Sequence, residues 1–117
     1  MLALGLTVAA GLGTVSVVAN ADPIKDWQRS IAMAVAKKQV YPRSALRREL
    51  EGSAKVKITL GRDGTIAAFE TLQSTGHDEL DREIPKLMER INPLPAPPSE
   101  LADDDLTFVL PLAWVLQ

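Results

Sequence analysis

Ala54-Lys55-Val56-Lys57-Ile58-Thr59-Leu60-Gly61-Arg62-Asp63-Gly64 is the stretch that decides the fold of this chain. Apolar and polar side chains alternate without a fault from Ala54 to Leu60. Successive side chains of an extended backbone point to opposite faces, so this is a strand with one buried face. Gly61 to Gly64 reads as a turn carrying the Asp-Gly pair of a hairpin. Thr65 to Gln73 returns as a second strand. Its alternation is blurred, with Ile66 and Leu72 in one phase and Phe69 in the other, which predicts a bulge or a twist.

Downstream, Ser74 to Asp78 is a loop leading into a helix. Leu80, Ile84, Leu87, Met88 and Ile91 recur on one face of it. Pro85 falls inside that pattern and deletes a backbone donor, so either the helix kinks there or its first turn is irregular. Pro93-Leu94-Pro95-Ala96-Pro97-Pro98 must be extended, close to polyproline II. The acidic loop Asp103 to Asp105 precedes a β-rich segment, Leu106 to Leu116. Leu106, Phe108, Leu110, Leu112, Trp114 and Leu116 share one phase of it. Pro111 cannot donate to a ladder, which puts this last strand at the edge of its sheet.

Upstream, Pro42 to about Leu50 reads as a short helix that Gly52 terminates. Before it, Asp22-Pro23 is a helix start. Ile24, Trp27, Ile31, Ala34 and Val35 then fall on one face, and Lys37 and Lys38 close the last turn. That helix either packs on the domain or extends from it as a spacer, and the stripe with Trp27 favours packing. Residues 2–18 are uncharged and apolar and lead to Ala19-Asn20-Ala21. This reads as a signal peptide cleaved after Ala21, although no Lys or Arg precedes the apolar run. An uncleaved anchor and a buried structural helix are the alternatives. The expected organisation is therefore residues 1–21 as signal or anchor, 22–40 as an amphipathic helix, and 41–117 as the main domain. The element order gives an α+β fold: a small three-stranded antiparallel sheet (β-β-α-β) with helices packed on one face.

Composition narrows the functions. With 13 basic and 15 acidic residues the net charge is −2, which argues against nucleic acid as a partner. Cysteine is absent, so disulfides, thiol catalysis and thiolate metal sites are excluded together. His77 is the single histidine, and no Ser-His-Asp arrangement or second ligand set accompanies it. Asp103 to Asp105 lack the alternating spacing of a calcium loop. Arg43, Arg47, Arg48, Lys55 and Lys57 read as solvated faces. No catalytic residue, metal site or cofactor is expected; the chain reads as a binder and not as an enzyme.

Four features, in order, resemble the C-terminal domain of the TonB energy-transducer family. They are Tyr41-Pro42 with Ala45 and Glu51-Gly52, the Asp63-Gly64 turn, Ser74-x-Gly76 with Leu80-Asp81, and the run Pro93 to Pro98 before a proline-bearing last strand. The resemblance covers about Tyr41 to Leu116 and is carried by the order of the set.

The resemblance implies a periplasmic domain that binds TonB-dependent outer-membrane receptors by adding a short receptor segment beside its own last strand. Unpaired backbone groups at an exposed edge would supply affinity and nearby side chains selectivity. It also places the residues around Tyr-Pro at the contact. The expected partner-binding set is Lys38, Gln39, Val40, Tyr41 and Pro42 with Leu106, Phe108, Leu110, Leu112 and Trp114. The same edge would equally allow a homodimer, and a periplasmic scaffold that self-associates through it is the alternative function. This sequence departs from the family pattern in lacking a long Pro-rich spacer and a Gln-Pro step before Tyr41. Binding is what the resemblance carries to this chain; coupling to an inner-membrane motor requires an anchor and stays open.

Overall fold

The computed structural model describes residues 22–117; the signal or anchor expected over residues 1–21 lies outside them. The alternating stretch forms strand β1, Gly52–Leu60. Ala54, Val56, Ile58 and Leu60 are buried, while Ser53, Lys55 and Lys57 are exposed. Strand β2, Ile66–Gln73, returns antiparallel on one side of it. Strand β3, Thr107–Trp114, lies antiparallel on the other. The order is β2-β1-β3, so the proline-bearing last strand is at an edge, as expected.

The two pairings differ in regularity. β3 pairs with β1 in unbroken register, from Gly52 opposite Trp114 to Thr59 opposite Thr107. The register with β2 shifts twice: Lys55 faces Gln73 while Val56 faces Thr71, and Thr59 faces Ala68 while Leu60 faces Ile66. Each shift leaves one extra residue on β2, Leu72 and Ala67. These bulges are the cause of the blurred alternation in that strand.

Helix α1, Pro23–Lys38, starts as its sequence dictates. The Asp22 carboxylate accepts from the backbone N–H groups of Ile24 and Lys25, both at 3.1 Å, and Pro23 takes the first helical position. The helix packs on the sheet and does not extend as a spacer. Trp27, Ile31 and Val35 are buried in the common core. The Trp27 indole N–H donates to the Pro95 carbonyl at 2.8 Å. Its ring meets Phe108 edge-on, with centroids 5.6 Å apart.

Helix α2 is shorter than expected, Arg43–Arg47, and Gly52 does not end it. Glu49 does, at φ +54°. The Leu50 N–H reaches back to the Ala45 carbonyl at 2.9 Å, and the Glu49 N–H to that of Leu46 at 3.1 Å. This is a Schellman cap with a glutamate in the left-handed position that glycine usually takes. Gly52 is needed for a different reason, because a Cβ there would lie 2.9 Å from both Cβ and O of Thr75.

The expected third helix is split into α3, Asp78–Asp81, and α4, Glu83–Ile91, at Arg82. Pro85 is the third residue of α4. There its missing N–H would have had no partner within the helix, so the break is what proline at that position dictates. Leu80, Ile84, Leu87, Met88 and Ile91 are all buried. Glu83 is buried among them and pairs with Arg90, whose Nε also donates to the Lys38 carbonyl at 3.0 Å.

Residues 93–98 run without regular structure, but they are not a passive connector. Leu94 is buried, as is Leu101 beyond it. The Leu94 N–H donates to the Gly64 carbonyl at 2.9 Å. Gly64 has φ +91°, and a Cβ on it would stand 2.0 Å from the Leu94 carbonyl oxygen. The Arg62 guanidinium binds the carbonyls of Leu101 at 2.7 Å and Pro98 at 3.2 Å. The hairpin turn thus docks onto the proline-rich run. Asp103–Leu106, the acidic loop with the leucine that follows it, then forms a 3-10 turn leading into β3.

Two substitutions check these backbone assignments by urea unfolding. Gly64→Ala should cost about 3 kcal/mol, from the left-handed φ and the clash with Leu94 together. Glu49→Gly should stabilise the fold by about 0.5–1 kcal/mol, since glycine occupies the left-handed cap without the side-chain penalty.

Candidate partner-binding site

Pro111 faces Lys55 in the β1–β3 pairing. In an antiparallel ladder, residues that bond to the neighbouring strand alternate with residues whose backbone groups point away from it. A residue without an N–H belongs in the second set. Thr107, Val109, Pro111 and Ala113 therefore turn their backbone groups to the free edge, and Phe108, Leu110, Leu112 and Trp114 turn theirs to β1. The Gln39 side chain agrees with this parity, since its Nε2 donates to the Ala113 carbonyl from outside the sheet at 2.7 Å. Among the described residues no strand pairs with this edge of β3, which thus offers complete peptide groups at Thr107 and Val109 and a carbonyl at Pro111.

The opposite edge is less open. Two bulges interrupt β2, and the Ile66 N–H is taken by the Asn92 side chain at 3.0 Å. Bulges and side-chain caps of this kind are how native sheets discourage pairing at an edge.

The expected contact residues divide into two groups. Of the segment Lys38–Pro42, Gln39 and Val40 lie beside the end of β3, while the Lys38 carbonyl is held by Arg90. The Trp114 indole donates to the Val40 carbonyl at 2.9 Å, and Gln39 holds Ala113. Val40 is exposed. Tyr41 is half-buried and its hydroxyl donates to the Leu50 carbonyl; burial, and then the nearby Glu51 carboxylate, push its pKa up. Pro42 is half-buried as the N-cap of α2. In β3 itself the side chains of Leu110, Leu112 and Trp114 belong to the core. Phe108 and Leu106 are half-buried against it. Leu110, Leu112 and Trp114 thus offer a partner neither free backbone groups, which are turned to β1, nor more than a small part of a side chain. The outward residues Thr107, Val109 and Ala113 were missed, although Pro111 already encodes the parity that singles them out.

A groove of about 780 Å³ runs along this edge, between α1 and β3. Trp27, Ile31 and Val35 line it from the helix, and Phe108 and Leu110 from the strand. Asp105 lines it beside the start of β3, Gln39 beside its end, and the exposed Gln28 lines it from α1. Among the described residues no cluster of His, Asp or Glu is arranged to hold a metal.

The profile of the Gram-negative bacterial TonB protein C-terminal family matches residues 37–116, which is most of this chain. The chain belongs to that family. Over 102 residues it is 26% identical to Protein TonB of Pseudomonas putida, covering 86% of this chain and 42% of that protein. The chain thus spans less than half the length of that curated relative. In structure it is similar to the Helicobacter pylori TonB C-terminal domain (residues 179–285), with TM-score 0.66 and 22% identity over 92% of this chain and 96% of that one. It is also 36% identical to the HasB C-terminal domain over 77% of this chain and 68% of that one, at TM-score 0.48.

The residues that carry the TonB C-terminal resemblance are mostly structural in this chain. Tyr41 ties the Tyr-Pro step to the start of β1 through Leu50. Gly64 admits the proline-rich run. Asp81 holds the loop before α3: its carboxylate accepts from Ser74 Oγ at 2.6 Å, Thr75 N–H at 2.9 Å and Thr75 Oγ1 at 2.7 Å. Burial alone would raise the Asp81 pKa, but these hydrogen bonds, with a further contribution from His77, hold it below the usual carboxylate value. His77 is the N-cap position of α3, and its N–H donates to Thr75 Oγ1 at 3.1 Å.

A carboxylate with a depressed folded-state pKa contributes stability that is present above its ordinary value near 3.9 and is lost as pH falls through the folded value. Asp81→Asn should therefore cost about 1 kcal/mol at neutral pH. Its unfolding midpoint should converge on that of the parent below pH ~3.9, measured by urea titration across the acid range.

Proposed function

We propose that this chain is a periplasmic TonB-like binding domain that recognises extended segments of TonB-dependent outer-membrane receptors by strand addition to β3. The observation that carries the reading is the contrast between its two sheet edges. β3 is regular over all eight of its residues and presents free peptide groups, while β2 is bulged twice and capped. Main-chain pairing at such an edge supplies affinity that is largely independent of partner sequence. Family membership supports the class of partner, and the position of Gln39 and Val40 beside Ala113 and Trp114 supports a role for the end of α1 at the contact.

Coupling to energy-dependent transport would require attachment to an inner-membrane motor. Among the described residues no helix is long and apolar enough to cross a membrane, and any anchor would have to lie outside them. The domain's own contribution is the docking edge. The same edge pairing with a second copy would make a scaffold, which is the alternative to receptor recognition.

Immobilised chain incubated with detergent-solubilised outer-membrane proteins should retain plugged β-barrel receptors. Val109→Pro removes an outward N–H without touching the β1 ladder, so it should unfold cooperatively like the parent and lose the receptors. Leu110→Pro deletes a ladder donor and should unfold the sheet instead. Receptor capture that survives Val109→Pro would refute strand addition, and capture of the chain alone would move the reading to the scaffold.

A further inference from the structure

We infer that helix α1 is the second wall of the docking site, so that the segment β3 receives carries aliphatic side chains at alternate positions. The inference rests on strand addition at β3 and specifies the chemistry of what is added.

Directly opposed residues of paired strands place their side chains on the same face of the sheet. In β3 the even-numbered residues face the helices and the odd-numbered ones face the open side, where Thr107, Val109, Pro111 and Ala113 are exposed. A strand added beside β3 therefore splits its own side chains in the same way. Those opposite Phe108 and Leu110 point into the α1–β3 groove, and those between them point to the open face of the sheet.

The groove's inner surface is apolar. On the α1 side Trp27, Ile31 and Val35 form its buried depth while Gln28, Ala32 and Ala36 line it from exposed positions, and Phe108, packed edge-on against Trp27, forms part of the floor. Its volume of about 780 Å³ is within the range that encloses a substantial ligand. Polar side chains placed at its depth would lose water without gaining partners, because the polar lining residues Gln28, Asp105 and Thr107 are solvent-exposed and Gln39 is engaged with the Ala113 carbonyl. Gln39 also fixes the length of the site. Its carboxamide holds the Ala113 carbonyl, so the paired stretch runs from Thr107 to Pro111. A segment that alternates aliphatic and polar residues fits this surface in one phase only. One in which no two aliphatic residues stand two apart does not, because it can place only one of them in the groove at a time.

Calorimetric titration of the chain with two synthetic peptides of equal composition tests this. One is Lys-Thr-Val-Thr-Val-Thr-Val-Thr-Lys; the other is Lys-Val-Thr-Thr-Val-Thr-Thr-Val-Lys, in which no two valines stand two apart. The alternating peptide should bind about tenfold or more tightly, a difference of ~1.4 kcal/mol. Ala32 is exposed on α1 and lines the groove without entering the core. Ala32→Glu should abolish the preference while the thermal unfolding midpoint stays near that of the parent. Val109→Pro should remove binding of both peptides. Equal affinity for the two peptides, with both lost in Val109→Pro, would overturn the α1 wall and leave strand addition standing. Binding that Val109→Pro leaves intact would overturn both. Lauric acid that displaces the peptide and binds the Val109→Pro chain unchanged would assign the groove to acyl chains and overturn the inference.

Discussion

Among the described residues β1 is the only strand with neighbours on both sides, and the rest of the domain depends on its one buried face. Ala54, Val56, Ile58 and Leu60 stand in line beneath the helices, and the core cluster joins them to Trp27 of α1, Ile84 and Leu87 of α4, and Trp114 of β3. Burial of this aliphatic surface is the dominant favourable contribution available to a domain of this size. The alternation also fixes which way β2 and β3 present their residues, since a slip of one position would carry every apolar side chain into water.

A three-stranded open sheet necessarily has two edges, and the chain treats them differently. β2 is bent by the extra residues Ala67 and Leu72 and loses its Ile66 N–H to Asn92. β3 keeps its register, and its proline sits where an N–H would have pointed outward, so the ladder to β1 is not weakened. Proline there does not close the edge. It removes one donor and leaves the peptide groups of Thr107 and Val109 available. The difference between a guarded and an open edge is a physical basis for directing partners to one side of the sheet.

The loops are held by polar contacts that fasten distant parts of the chain to each other. Arg62 binds the Pro98 and Leu101 carbonyls, Trp27 the Pro95 carbonyl, and Trp114 the Val40 carbonyl. Each donor belongs to a strand, helix or hairpin turn, and each acceptor to an irregular segment whose carbonyl has no ladder to satisfy it. The residues around the docking edge are positioned in this way. Val40 and Gln39 are fastened to Trp114 and Ala113, so the end of α1 is held beside the end of β3.

Local chemistry was enough to read the elements and their faces. The period of β1, the Asp22-Pro23 start of α1, the apolar stripe of α4 and the missing N–H of Pro111 are properties of residues close together in the chain, and each was legible without a structure. The disturbance in β2 was legible too, as lost alternation, but its two positions were not, because a bulge is defined by the partner strand. The termination of α2 was misread for a related reason. Glu49 adopts a left-handed φ that its side chain disfavours, and Gly52 is required by the approach of Thr75, a residue distant in sequence. Tertiary structure alone decided that Leu94 and Leu101 enter the core, that Gly64 must admit the Leu94 carbonyl, and that α1 and β3 enclose a groove between them. Those features arise from contacts between segments far apart in the chain, and sequence spacing carries no record of such distances.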